Sequence, residues 1–166
     1  MMAPQDEHWS AWLAQHGPAL VLLARQWVSR RADAEDAVQE AFVRCWNARG
    51  RVADPVAYLY ACVKHAALDL SRGAQRRQRR EESIARPEAE PLLTCPIEQD
   101  ERRLAIEAAL QQLPIEQAEV LVMKIWGGLT LPQIAAALEL SANTVASRYR
   151  YALAKLREQL AEEPIT

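Results

Sequence analysis

Apolar residues in this sequence recur every three or four positions in segment after segment, and they do not alternate with polar residues over the length of a strand. In the segment that follows Pro55, for example, Val56, Leu59, Tyr60 and Val63 fall on one face of a helix. The composition is dominated by Ala, Leu, Glu, Gln and Arg, which are good helix formers. The spacing therefore predicts an all-α fold.

Turn residues and helix caps divide the first half of the chain into predicted helices. The first two are expected at about residues 7–15 and 18–31. A third opens at Asp33 as its N-cap, and a fourth begins with Asp54 as N-cap and Pro55 in the first helical position. These helices predict one small domain over residues 1–76.

Helical spacing fails from about Gly73 to Ile97, where a run of arginines is followed by three prolines among acidic residues. Spacing typical of helices resumes near Glu98 and is interrupted only by short turns. We therefore expect two small helical domains, at residues 1–76 and 98–162, joined by a flexible linker over residues 77–97.

Residues 131–151, LPQIAAALELSANTVASRYRY, have the pattern of a helix-turn-helix: a short helix, a turn and a longer helix. Thr130 and Gln133 are spaced as a capping box, and Ser141 is placed to cap the longer helix. Glu139 stands in the turn where Gly is common, and a left-handed conformation there would cost about 1 kcal/mol. This pattern predicts a DNA-binding unit in the C-terminal domain.

The second helix of such a unit lays its polar N-terminal face in the major groove of DNA. The outward residues suited to base edges or phosphates are Asn143, Thr144, Ser147, Arg148 and Tyr151. The alternative interpretation is an amphipathic helical hairpin whose basic face is merely solvated.

Charge is segmented along the chain, although the net charge is only −2. Acidic residues gather within residues 33–40, and basic residues gather within 72–80 and again within 148–157. Surfaces of opposite sign on one chain indicate different partners, of which the basic ones fit nucleic acid.

The sequence offers no pattern for catalysis, a metal or a cofactor, and an enzyme is not expected. The three histidines have no metal-ligand spacing, no serine lies in a nucleophile elbow, and no Gly-rich phosphate loop is present. The three cysteines form no CxxC pair and are interpreted as reduced thiols, with a redox-sensing role left open. No apolar stretch approaches the roughly 20 residues of a membrane helix, so we expect a cytoplasmic protein without membrane insertion.

Three motifs in a fixed order resemble the extracytoplasmic-function (ECF) sigma factors of bacterial RNA polymerase, in the sigma-70 family. DAEDAVQEAFVRCW at residues 33–46 is similar to their polymerase-binding helix. YLYACVKHAALDLSR at 58–72 is similar to their helix that reads the downstream promoter element, and residues 113–157 are similar to their C-terminal domain. The resemblance implies a factor that binds core RNA polymerase and directs promoter recognition, DNA melting and transcription initiation. An anti-sigma factor is expected as a further partner.

The resemblance also assigns roles to individual residues. The side chains that would face the polymerase are Asp36, Gln39 and Glu40, while Phe42 and Trp46 hold their helix to the core. Those that would contact the downstream element are Asn47, Arg49, Arg51, Tyr58, Lys64, His65 and Arg72. Tyr58 stands where Trp is frequent in the family, and Lys64-His65 where Arg-Asn is frequent, so the downstream base preference does not transfer.

Two alternatives remain open at this point. A sigma-like mimic would keep these surfaces but act by sequestering an anti-sigma factor, and the intact basic recognition helix speaks against it. An operator-binding regulator would use the helix-turn-helix as a homodimer and bind a palindrome without polymerase.

Overall fold

The structure is a computed structural model, and it describes residues 4–80 and 101–162. The described residues form seven α-helices and contain no strand, which confirms the all-α prediction. The first three are α1 (Pro4–Ala24), α2 (Arg31–Ala48) and α3 (Pro55–Arg80). After the gap come α4 (Glu101–Gln112), α5 (Ile115–Ile125), α6 (Leu131–Leu138) and α7 (Ala142–Glu162).

Helices α2 and α3 pack closely against each other, and α1 packs across both. The buried face of α2 consists of small residues, namely Ala34, Ala37, Val38, Ala41 and Cys45. The buried face of α3 supplies larger side chains, including Leu59, Tyr60 and Val63. Small residues on one helix allow the larger ones of the other to fill the space between them. This packing leaves the acidic face of α2 on the surface.

The prediction of separate helices at 7–15 and 18–31 is wrong, because α1 runs without a break through Gly17 and Pro18 to Ala24. A proline inside a helix costs about 3 kcal/mol. The residues after Pro18 bury Leu20, Leu22 and Leu23 almost completely, and each buried leucine is worth roughly 1.5–3 kcal/mol. The core contacts therefore outweigh the cost of the proline.

The start of α2 also differs from the prediction, whereas the start of α3 agrees with it. Asp33 is not an N-cap: α2 begins at Arg31, the N-cap position is Arg30 without a side-chain capping bond, and Asp33 lies in the first turn. There its carboxylate still favours the positive end of the helix dipole. Asp54 does cap α3, since its Oδ1 accepts a hydrogen bond from the backbone N–H of Ala57 at 3.1 Å.

Helix α3 is longer than expected. It passes Gly73 without interruption and ends at Arg80, so residues 77–80 are helical although they were predicted as the start of the linker. A glycine inside a helix, such as Gly73, lowers helix stability by only about 1 kcal/mol relative to alanine. The helical turns on either side of Gly73 offset this cost. The rest of the predicted linker, residues 81–97, lies outside the described residues, and the division into domains at 76 and 98 stays a prediction.

In the C-terminal half, α5 is the central helix and is covered by α6 and α7, while α4 packs on α7. Val120, Leu121, Val122 and Met123 of α5 are fully buried. Short turns at Leu113-Pro114 and around Gly127-Gly128 separate α4 from α5 and α5 from α6.

The helix-turn-helix is present as predicted, in α6 and α7. Thr130 and Gln133 form the capping box of α6, with both hydrogen bonds made. Ser141 Oγ accepts the backbone N–H of Thr144 at 3.2 Å and so caps α7. Glu139 adopts the left-handed conformation, with φ 54° and ψ 45°. The backbone is therefore strained at Glu139, in the turn that sets the angle between the two helices.

Candidate DNA-binding and polymerase-binding surfaces

Helix α7 turns a polar N-terminal face away from the core. Val145, Ala152 and Leu156 are buried on its inner side. Of the predicted upstream-element residues, Asn143 and Tyr151 are exposed, and Thr144, Ser147 and Arg148 are half-buried. The structure brings these five side chains to the first three turns of one helix. The Thr144 hydroxyl also lies 2.8 Å from Ser141 Oγ, so it takes part in the cap.

The acidic face of α2 is exposed over Asp36, Gln39 and Glu40, as predicted. Glu40, however, is not without a partner, because its Oε1 lies 2.6 Å from a guanidinium nitrogen of Arg44. Such an exposed pair four residues apart stabilises a helix by only about 0.3–0.5 kcal/mol. The pair gives Glu40 a small local role, and its carboxylate remains on the surface.

An aromatic cluster that sequence reasoning missed anchors the end of α2. The ring of Trp9 in α1 makes edge contacts with Trp12 at 5.3 Å, with Phe42 at 6.0 Å and with Trp46 at 5.4 Å, measured between ring centroids. Aromatic pairs of this geometry are each worth about 0.5–1.5 kcal/mol beyond their buried area. The cluster explains how Phe42 and Trp46 hold α2 to its core, and it uses α1 residues to which the sequence assigned no role.

The loop after α2 is held by its own arginines. The guanidinium of Arg49 stacks 3.9 Å from the centroid of the Trp46 ring and donates to the Trp46 carbonyl at 2.8 Å. Arg51 donates to the carbonyl of Asn47 at 2.7 Å. Asn47, Arg49 and Arg51 are all exposed, so these three predicted downstream-element residues lie together at the end of α2 and in the basic loop that follows it.

The predicted downstream-element residues of α3 divide into two groups. Tyr58, His65 and Arg72 are seven residues apart, a spacing that keeps them on nearly the same face, and His65 and Arg72 are exposed. Tyr58 is half-buried, and a hydrogen bond with the Cys62 thiol is the main cause that raises its pKa. Lys64 lies on another side of the helix and points toward the C-terminal half. The structure therefore does not bring Lys64 together with the other three.

Lys64 forms an ion pair with Glu119 of α5. Its Nζ donates to Glu119 Oε1 at 3.3 Å and lies 3.0 Å from Oε2, which accepts no directed hydrogen bond. The Glu119 side chain is only 2% exposed and that of Lys64 is 23% exposed. Burial raises the pKa of Glu119, and the bond from Lys64 and the charges of Lys64 and Arg148 oppose that rise.

The two halves also meet around Tyr60 of α3. Its hydroxyl lies 2.9 Å from Nδ1 of His16 in α1, and a Cβ atom placed on Gly127 would come within 2.7 Å of that hydroxyl. Only glycine at position 127 allows this approach without a shift. We call the contact formed by Tyr60, Lys64, Glu119 and Gly127 the joint. In the sequence, Glu119 directly precedes the apolar run of residues 120–123, and helical spacing alone gave it no partner.

The thiols and the metal-ligating side chains offer no further site in the part of the chain that the structure describes. Cys45 and Cys62 are buried free thiols, and burial raises the pKa of Cys45 to about 11. Because the thiolate is the reactive form, this environment disfavours redox sensing at Cys45. Cys95 lies outside the described residues. Among residues 4–80 and 101–162 no cluster of ligating side chains could hold a metal, and no helix is long and apolar enough to cross a membrane.

Comparisons with known proteins agree with this arrangement of helices. Residues 12–77 match the family model of sigma-70 region 2, and residues 103–156 match that of sigma-70 region 4. The chain is 32% identical over 158 residues to the ECF RNA polymerase sigma factor SigL of Mycobacterium tuberculosis, a match that covers 92% of this chain and 88% of SigL. It is 30% identical over 142 residues to the RNA polymerase sigma-E factor of Streptomyces avermitilis, covering 86% and 79% of the two chains.

Two solved structures are also similar. CnrH, in a complex with the cytosolic domain of CnrY, is 26% identical with a TM-score of 0.63, covering 96% of this chain and 91% of that one. The sigma factor RpoE of Bartonella quintana, in a complex with the anti-sigma factor NepR, has a TM-score of 0.68 over 95% of this chain and 99% of that one. At 19% identity the latter shows the fold alone.

Helices α1–α3 are thus a sigma region 2 and helices α4–α7 a sigma region 4, and the chain belongs to the sigma-70 family. Within that family it is an ECF RNA polymerase sigma factor, a non-enzymatic initiation factor whose region 4 contains the DNA-binding helix-turn-helix.

Proposed function

We propose that this sigma factor binds core RNA polymerase through the acidic face of α2 and reads the two promoter elements with α3 and α7. The observation that carries the proposal is the separation of the three surfaces. The acidic residues of α2 lie opposite its packing face, the row of Tyr58, His65 and Arg72 runs along α3, and the polar face of α7 belongs to the other half.

The acidic face fits a basic partner. Asp36, Gln39 and Glu40 are exposed and lie within little more than one turn of one helix. Charge complementarity of this kind raises the association rate and selects the partner. Core polymerase is the partner that the sequence resemblance implies.

The loop and the α3 row fit the downstream element. Exposed Asn47, Arg49 and Arg51 supply a base-bonding amide and two cations, and the row along α3 adds an aromatic ring, an imidazole and a guanidinium. Aromatic stacking and basic side chains are what single-stranded DNA binding requires. We infer that the downstream element is held in opened form here, while the polymerase performs the nucleotide chemistry.

The polar face of α7 fits the upstream element as duplex DNA. Arg148 can make a bidentate contact to guanine, and Asn143 can bond a base edge. The two weak DNA contacts lie on one chain, so their combined affinity depends on a promoter spacing that allows both.

We further infer that an anti-sigma factor binds this chain, and that the protein acts in the cytoplasm, where the polymerase is. Support for the first inference comes from the sigma factor RpoE, which has the same fold and was solved with the anti-sigma factor NepR. CnrH, which is similar over nearly its whole length, was likewise solved in a complex, with the cytosolic domain of CnrY. The exposed acidic helix and the exposed basic helices are surfaces that such a regulator could bind. A regulator bound there would compete with polymerase or with promoter DNA.

The proposal is tested by run-off transcription with purified core polymerase on a library of random promoters. We expect transcripts that start downstream of two short shared elements at a constant spacing. Absence of transcripts, combined with tight binding of an anti-sigma factor, would favour the sigma-like mimic instead. Sequence-specific binding of a palindrome by a dimer without polymerase would favour the operator-binding regulator.

A further inference from the structure

The C-terminal end of α3 concentrates positive charge. Residues 70–80 contain no acidic residue, and they contain five exposed arginines: Arg72, Arg76, Arg77, Arg79 and Arg80. Among residues 4–80 and 101–162 none of the five forms an ion pair with a carboxylate. Arg76 Nε donates to the carbonyl of Arg72 at 3.4 Å, a bond that stays within the helix. The charge of this end of α3 is therefore presented to solvent.

The stability of the helix does not explain this accumulation of charge. Cations in the last turn favour the negative end of the helix dipole, which accounts for Arg77, Arg79 and Arg80. Arg72 and Arg76 lie before that turn. Arg76 is also four residues from both Arg72 and Arg80, and like charges at this spacing destabilise a helix. A polyanion bound beside this end would replace that repulsion with attraction.

Four of the five arginines continue the row of Tyr58, His65 and Arg72 along α3. At 3.6 residues per turn, Arg76 and Arg79 lie within about 60° of that row around the helix axis, and Arg80 lies at its edge. We call Arg72, Arg76, Arg79 and Arg80 the arginine stripe. The row and the stripe together form one face about 30 Å long, because each residue adds 1.5 Å to the helix. That length is close to one turn of duplex DNA, about 34 Å.

We propose that the arginine stripe binds the phosphate backbone of the duplex DNA between the two promoter elements, whatever its base sequence. The inference rests on the proposed function, because it takes the α3 row as the contact to the downstream element and region 4 as the contact to the upstream one. The stripe follows the row in the chain and precedes region 4, so it faces the DNA between them. Guanidinium groups match the geometry of phosphate, and contacts to phosphate hold DNA without reading its sequence.

The first experiment measures the salt dependence of DNA binding by the full chain without polymerase. Fluorescence anisotropy with a random-sequence duplex gives the affinity at salt concentrations from about 0.05 to 0.2 M, and each phosphate contact contributes about 0.9 to the slope of log K against log salt. We expect the double variant Arg76→Gln with Arg79→Gln to lower that slope by about 2 and to weaken binding roughly tenfold or more at 0.1 M salt. Circular dichroism verifies that the variant keeps its helicity.

The matched control keeps the charge and moves it to the other face of the same turns. Ala74 and Gln78 are exposed and lie more than about 140° from the middle of the stripe. Adding Ala74→Arg and Gln78→Arg to the double variant restores the net charge, and this relocated variant should still bind as weakly as the double variant. Arg77→Gln, which removes one charge outside the stripe, should leave the slope nearly unchanged.

The second experiment removes the charge from the DNA instead. In a promoter fragment bound by polymerase and the full chain, methylphosphonates replace the phosphates between the two elements. This replacement should weaken binding with the wild type roughly tenfold or more and with the double variant much less, while a changed base sequence there should have no effect.

An unchanged slope and affinity in the double variant overturns the proposal and shows that the stripe is merely solvated or is neutralised by acidic residues of the chain itself. Binding by the relocated variant as tight as that of the wild type also overturns it, as do equal losses of the wild type and the double variant on the methylphosphonate promoter. Failure of the proposed function looks different: the wild type would then support no transcription with core polymerase, whereas the salt slope is measured without polymerase.

Discussion

The hydroxyl of Tyr60 and Nδ1 of His16 form a hydrogen bond across the contact between α3 and α1, at 2.9 Å. Burial raises the pKa of Tyr60, so its hydroxyl keeps its proton and can donate. Burial lowers the pKa of His16, so the imidazole stays neutral and its Nδ1 can accept. The two shifts favour the protonation states that this single bond needs.

This pair predicts a pH dependence of stability. The pKa of His16 is lower in the folded than in the unfolded chain, so the unfolded chain binds the proton more readily. The stabilising effect of neutral His16 is therefore complete above about pH 6.5 and is lost as the pH falls below that value. We expect the melting temperature to drop between pH 7.5 and pH 5. The drop in melting temperature should be smaller in His16→Gln. Equal drops in the wild type and His16→Gln would show that protonation of His16 does not cause the loss of stability.

The buried Glu119 predicts a pH dependence of stability with the opposite sign: its contribution to stability becomes more favourable as the pH falls. Its pKa is raised in the folded chain, so protonation on acidification relieves a cost of burial, whereas Glu119→Gln has no such group. The stability difference between the wild type and Glu119→Gln should therefore shift in favour of the wild type as the pH falls from neutral toward the pH range of glutamate titration. Urea unfolding at several pH values measures this difference, and a difference that is independent of pH would contradict it.

For the acidic face, Glu40→Lys should abolish stable association with core polymerase. The change replaces attraction to a basic surface with repulsion, which costs several kcal/mol at a close interface. It also sets the new lysine beside Arg44 and removes their ion pair, so a stability loss of about 0.5–1 kcal/mol is expected. The measurement is a pull-down with purified core beside a thermal melt. Glu158→Lys, an equal charge change at an exposed site near the end of α7, is the control and should bind normally.

In the recognition helix, Arg148→Ala should weaken use of the upstream element by about 1–3 kcal/mol, the worth of a good base contact, and leave polymerase association unchanged. Transcription from promoters with and without an upstream element measures the effect. Arg157→Ala, about two and a half turns further along α7 at an exposed position, is the control and should have little effect. A general loss of folding in Arg148→Ala would show instead that the half-buried side chain serves packing.

The turn of the helix-turn-helix contains strain that one substitution should remove. Glu139 has a φ of 54°, and Glu139→Gly should raise the free energy of unfolding by about 1 kcal/mol because glycine adopts this conformation without a Cβ clash. Gly128, with a φ of 67° and open space around its Cβ position, provides the converse change. Gly128→Ala should lower the free energy of unfolding by a similar amount. Equal melting temperatures for the wild type and Glu139→Gly would refute the strain.

Local features of this fold were predictable from sequence because their partners lie within a few residues. The Thr130 capping box, the Ser141 cap and the left-handed Glu139 all depend on contacts inside one turn, and the structure agrees with each. The Asp33 cap was wrong because several nearby residues can begin a helix, and packing selects among them. The predicted break near Pro18 was wrong since the local cost of proline is offset by leucines buried against distant helices.

The candidate site was predictable in part for the same reason. The exposure of Asp36, Gln39 and Glu40 follows from helical spacing, whereas their assignment to a polymerase-binding surface came from the family resemblance. The pairing of Lys64 with Glu119, 55 residues apart, depends on how two halves of the chain meet, and no spacing rule reports that. The role of Trp9 likewise depends on α1 lying across α2, which periodicity does not determine.

Because α3 is one continuous helix, a rotation at one of its ends displaces the other end. At 26 residues it is about 39 Å long, and Tyr60 in the joint lies near its first end while Arg80 is at the other. A tilt of about 10° around Tyr60 would move Arg80 by roughly 5 Å, on the order of the distance between neighbouring phosphates, because 20 residues of helix span about 30 Å. A small adjustment at the joint is thereby converted into a displacement of the whole arginine-rich end, with its five positive charges between residues 72 and 80.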